Sequence, residues 1–123
     1  MGDLTANFSR AEFACKCGQC DGADSIGPDF VRQLQIGREL SDCSYTITSG
    51  FRCSLHPETK KRPTSSHPKG VAADIATPHS QLRYQVLKGL IGAGFTRLGI
   101  GKTFIHVDQD LSKPPYLIWD YYD

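Results

Sequence analysis

Residues 65–76 read SSHPKGVAADIA, and the change of character at Gly70 decides how the chain folds. The first half is polar and closes a loop, residues 54–70, that carries three prolines and no usable periodicity. The second half, VAADIA, is short and apolar and fits a buried strand. Gly70 permits the turn between them. His67 in the loop therefore stands seven residues ahead of Asp74 on the strand, so both donors can reach one side of a pocket.

Outward from this stretch, Tyr45, Ile47 and Ser49 alternate with Thr46 and Thr48, which predicts a second strand closed by Gly50, with Arg52 at its end. Residues 28–40 open with Pro28 at a first helical position and bring Phe30, Val31, Leu34 and Leu40 near one face, an amphipathic helix that Gly37 weakens. Downstream, Ser80 can cap a helix in which Leu82, Val86, Leu87, Leu90 and Ile91 recur, ended by Gly92 and Gly94. RLGIG and FIHVD then predict two strands, with Lys102 and Thr103 between them in a tight hairpin. The tail, PPYLIWDYYD, reads as an aromatic cover. Its Tyr116, Trp119, Tyr121 and Tyr122 either pack on the sheet or form a substrate platform.

With 123 residues, 39% of them hydrophobic, the chain suits one domain spanning residues 1–123. Fourteen basic against 13 acidic residues leave a net charge of +1, which disfavours nucleic acid and acidic membranes as partners. No apolar run approaches the roughly 20 residues of a membrane span, and the start, MGDLTANFSRAEF, lacks the features of a signal peptide. The expectation is a monomer made in the cytoplasm.

The five cysteines are an odd number, so at least one is outside any internal disulfide. Cys15, Cys17 and Cys20 crowd into CKCGQC, which suits thiolate ligation of a second, structural zinc, although no fourth ligand is evident. Cys43 and Cys53 flank the strand that ends at Gly50 and can form a disulfide, join a metal site or serve as small buried hydrophobes. His106 on the last strand can join His67 and Asp74. Two imidazoles, one carboxylate and an open fourth position are the ligand set of a catalytic zinc. The alternative is a solvated loop histidine and a hydrogen-bonded strand histidine.

The segment SSHPKGVAADI resembles the S-x-H-x-x-G-x-A-x-D-I signature of the zinc D-alanyl-D-alanine carboxypeptidase and hedgehog-like peptidases, with Ser65 as its serine. TSGFR (48–52) is similar to that family's S-G-[YF]-R, FIHVD to its final histidine strand, and NFSRAEFACKCGQC to the start of its single-domain bacterial and phage branch. The resemblance implies a small α+β domain with a central antiparallel sheet flanked by helices. It implies His67, Asp74 and His106 as zinc ligands, Arg52 as the cation that holds substrate and the developing oxyanion, and Ser65 as a substrate-binding position. Gly70 and Ala72 would be structural supports.

One position departs from the pattern. Where many members carry Glu or Asp three residues before the last zinc histidine, this chain has Thr103, which cannot accept the water proton. Asp108 lies on the same face of its strand as His106, so it either serves as that base or orients a ligand from behind. The H-V-D ending resembles the murein endopeptidase branch. His56 and His79, beside prolines, face solvent or line the cleft. The implied activity is hydrolysis of peptidoglycan stem or crosslink peptides, as endopeptidase or carboxypeptidase, by a phage-type lytic enzyme that meets the wall after release or within a virion. A non-catalytic zinc-stabilised module that binds wall peptide or a virion partner is the alternative, and a zinc held only by CKCGQC is a third.

Overall fold

In the computed structural model the described residues are 4–14, 26–50, 67 and 70–121. A 3-10 turn at Arg10–Phe13 precedes helix α1 (Pro28–Ser41) and strands β1 (Ile47–Ser49) and β2 (Ala72–Ala76). Helix α2 (Ser80–Gly92) follows, then β3 (Arg97–Ile100), β4 (Phe104–Asp108) and β5 (Leu117–Asp120). The sheet order is β1-β2-β4-β3-β5. All neighbours are antiparallel except β5, which runs parallel to β3. The α+β class is as the sequence implies. The tail differs from a mere cover: it supplies an edge strand and makes the sheet mixed.

Alternation along the strands gives the sheet two chemically distinct faces. Ala73, Ile75, Leu98, Ile105 and Val107 are buried in one cluster with Phe30, Val31 and Leu34 of α1 and Val86 and Leu90 of α2. The residues between them, Asp74, Arg97, Gly99, His106 and Asp108, occupy the other face. A helix-covered core on one side thus leaves a row of polar side chains on the other.

The helices begin and end as their chemistry dictates. Pro28 starts α1, and Asp42 closes it in the left-handed region at φ 55. The cap of α2 is His79 and not Ser80: its Nδ1 accepts from Leu82 N at 3.2 Å. Ser80 lies one residue inside, so its hydroxyl is past the cap position, and the exposed His79 has a structural task as the cap. Gly37 and Gly89 sit where α1 and α2 press together. A Cβ on Gly89 would lie 2.8 Å from Ser41 Cβ and inside the radii of Ser41 Oγ and the Gly37 carbonyl. Beside this contact the buried Tyr45 hydroxyl and Ser41 Oγ share a 2.6 Å hydrogen bond. Among the described residues no helix is long and apolar enough to cross a membrane.

Candidate metal centre

Pairing of β2 with β4 sets Asp74 directly opposite His106. The same row continues through Ser49 on one side, and through Gly99 and Trp119 on the other. His67 is delivered by the turn before β2, which Gly70 closes with φ 72 and a hydrogen bond from its amide N–H to the His67 carbonyl at 3.1 Å. That positive φ is the reason for glycine here.

His67 and His106 are buried, 2% and 7% exposed, and their rings meet edge to face with centroids 5.1 Å apart. His67 Nε2 lies 3.4 Å from Asp74 Oδ1, and His106 Nδ1 lies 3.1 Å from the same oxygen. One donor atom from each residue falls within 4.8 Å of the others. Among the described residues no other His, Cys, Asp or Glu joins this group.

The far nitrogen of each ring is tied down. His67 Nδ1 donates to the Gly50 carbonyl at 2.7 Å, and His106 Nε2 donates to Asp108 Oδ2 at 2.8 Å. Neither acceptor carries a proton, so each of these nitrogens must bear the N–H. The nitrogens that face Asp74 are then the lone-pair nitrogens. Two lone pairs and a carboxylate oxygen turned toward one spot repel one another unless a cation lies among them, either a proton or a metal ion. This donor set fits zinc: two imidazoles and a carboxylate, each imidazole fixed from behind by an oxygen.

With a proton as that cation, the nitrogen it sits on donates to Asp74, and the opposite charges support each other. Burial alone would raise the Asp74 carboxyl, but the bonds to His106 and His67 overcome it and hold the group well below the usual carboxylate range. Burial alone would lower the His106 imidazole, but Asp108 and Asp74 overcome it and raise it.

Asp108, 2% exposed, is fully engaged. Its Oδ1 accepts from Arg97 Nε at 2.7 Å and from the Asp110 amide at 3.1 Å, while Oδ2 takes the His106 bond. Burial pushes this carboxyl up, and the bonds from His106, the Asp110 amide and Arg97 bring it below its ordinary range. The carboxylate thus lies against the nitrogen of His106 that points away from Asp74. Thr103 is exposed in the hairpin, where its carbonyl accepts from Thr77 N at 2.8 Å.

Sequence reasoning did not single out Arg97, yet the hairpin contains the signal. Pairing Ile100 with Ile105 sets Gly99 against His106 and carries Arg97 toward Asp108 on the same face. In the sequence Trp119 is one aromatic of the tail among several. Its ring packs over Gly99, where a Cβ would meet Trp119 Nε1 at 2.6 Å, and lies 5.7 Å from the His106 ring. Of the other candidates, Arg52, Ser65, Cys15, Cys17, Cys20, Cys53 and His56 lie outside the described residues. Cys43 is a free, half-buried thiol whose pKa burial pushes up.

A family model described as Peptidase M15 matches residues 6–108, a span that holds His67, Asp74, His106 and Asp108 and ends before β5. No curated protein matches the chain.

Proposed function

The chain belongs to the peptidase M15 family, and on that premise we propose that it is a zinc peptidase that hydrolyses amide bonds in peptidoglycan stem or crosslink peptides. The observation that carries the reading is the convergence on Asp74 of two histidine lone pairs, each fixed by an N–H bond on the opposite side of its ring. His67 Nε2, Asp74 and His106 Nδ1 would hold one catalytic zinc. A bound zinc supplies a Lewis acid for the scissile carbonyl and brings the pKa of its water to roughly 7.

The chain's own residues then have separate tasks. The Gly50 carbonyl and Asp108 keep the two imidazoles in the tautomer that presents a lone pair. Of the two roles that the sequence left to Asp108, its position behind His106 supports orientation of that ligand. Arg52, by its place in TSGFR, is proposed to bind substrate and to offset the negative charge of the tetrahedral oxygen, a task worth a few kcal/mol in comparable sites, about 3. Ser65 is proposed as a substrate contact, and Cys15, Cys17 and Cys20 as a second, structural zinc site. The wider proposal is a one-domain, monomeric, phage-type lytic enzyme that reaches the wall after release or as part of a virion. It acts as an endopeptidase or a D,D-carboxypeptidase.

The test is digestion of purified peptidoglycan with and without a chelator, read by mass spectrometry of released fragments, for the wild type and His67→Ala. Chelator-sensitive cleavage that His67→Ala abolishes is expected. Cleavage that survives both treatments would overturn the proposal. Thr103, standing where many relatives carry an acid, favours a second reading: a zinc-stabilised module that binds wall peptide or a virion partner without cleaving it. A zinc that is lost in His67→Ala, with no cleavage by the wild type, would select it.

A further inference from the structure

We infer that Arg97 is a positioning residue for the metal donors: it acts on His106 through Asp108, and it joins that linkage to the C-terminal strand beyond the family match. The inference rests on the zinc reading above. Arg97 is only 8% exposed, and its contacts point in three directions. Nε donates to Asp108 Oδ1 at 2.7 Å, Nη1 donates to the Pro114 carbonyl at 2.5 Å, and the guanidinium lies 5.0 Å from the centre of the Trp119 ring. Pro114 and Trp119 both fall after residue 108, where the family match ends.

The chemistry requires arginine. A planar guanidinium donates from separate nitrogens at fixed angles and stacks on an aromatic face at the same time, which a lysine ammonium cannot do. On Asp108 it fixes rotation of the carboxylate, so that Oδ2 faces His106 Nε2. It also balances the Asp108 charge on a sheet face that already holds Asp74. With Arg97 removed, Oδ1 keeps only the Asp110 amide, and the carboxylate is free to turn from the imidazole.

The experiment is a double-mutant cycle on zinc affinity, with zinc held in competition by a chromogenic chelator, for the wild type, Arg97→Gln, Asp108→Asn and the double variant. Asp108→Asn should weaken zinc binding by about 10–100-fold and Arg97→Gln by about 10-fold, the range for groups behind a ligand. The double variant should bind no more weakly than Asp108→Asn alone, because Arg97 acts through that carboxylate. Thermal melting of each metal-free protein separates a lost fold from a lost ligand geometry. Should Arg97→Gln fail to fold, Arg97→Lys takes its place in the cycle, with the same loss of effect expected in the Asp108→Asn background. Wild-type affinity in a folded Arg97 variant, or additive losses in the double variant, would overturn the inference. His67→Ala separates the two levels. A His67→Ala protein that binds as many zinc ions as the wild type, and as tightly, would remove the metal reading itself, whereas one zinc lost there with affinity unchanged in Arg97→Gln removes only the role of Arg97.

Discussion

Replacing Gly89 with alanine opposes two effects of similar size, and the structure decides the sign. In an isolated helix the change is favourable by about 1 kcal/mol. Here the new methyl would lie 2.8 Å from Ser41 Cβ, against an ordinary carbon–carbon separation of about 3.7 Å, so the helices must part by roughly 1 Å. Ser41 cannot simply swing aside, because its hydroxyl is bonded to Tyr45 at 2.6 Å and the rigid Gly37 carbonyl stands beside it. Overpacking of this kind costs about 1–3 kcal/mol, and loss of the Ser41–Tyr45 bond adds about 1 kcal/mol. The net expectation is destabilisation by about 2 kcal/mol, which lowers Tm by roughly 5–10 °C in a domain of this size. Urea unfolding should show a lower midpoint at an unchanged slope. Gly92→Ala, at the exposed end of the same helix and facing only the tip of Leu40, is the control and should be nearly neutral. A Gly89→Ala protein as stable as the wild type, or more so, would refute the argument, because helix propensity would then have won and the two helices would not meet at this glycine.

Two further outcomes follow from groups on either side of the sheet. Burial, opposed by the Ser41 bond, pushes the Tyr45 phenol up from 10.0 to about 12, so the folded state holds this proton more tightly than the unfolded chain does. Its contribution is complete below pH 10 and is lost as pH rises toward about 12, by at most ~2 kcal/mol, and the difference in urea midpoint between wild type and Tyr45→Phe should shrink across that window. A difference that stays constant from pH 9 to pH 11.5 would count against the buried phenol. Trp119 is the chain's one tryptophan and lies 5.7 Å from the His106 ring, so cobalt(II) titration should quench its emission at one equivalent, and His67→Ala should abolish the effect. Emission indifferent to cobalt in a protein that binds it would place the metal elsewhere.

Much of this arrangement was legible in the chain because its pieces are local. The 3.6-residue recurrence of Val86, Leu87, Leu90 and Ile91, the small apolar run before Asp74 and the two-residue hairpin at Lys102 and Thr103 each decide one element by short-range geometry. The donors came from the resemblance of SSHPKGVAADI and FIHVD to a family signature, and alternation added that His106 and Asp108 share one face. Alternation does not say which ring nitrogen a carboxylate meets, so the task of Asp108 stayed open until the orientation of the ring was known. The β5 strand is not legible for a different reason. It begins just after Pro114 and Pro115, has an exposed outer edge, and finds its parallel partner β3 across an intervening hairpin, none of which leaves a periodic trace. In the sequence Ser80 masks the cap role of His79, because serine is the commoner capping residue.

The pairing of Asp74 with His106 has a consequence for how such a chain can change over time. Thirty-two positions separate the two residues, and α2 with its flanking turns and β3 fills the interval. Extra residues in the turns around α2 leave the opposition of β2 and β4 untouched, so that interval is free to grow or shrink. One residue gained or lost inside either strand is another matter, since it sends the carboxylate and the imidazole to opposite sides of the sheet. Length variants of this chain should therefore be tolerated in the turns and excluded from the ten residues of two short strands.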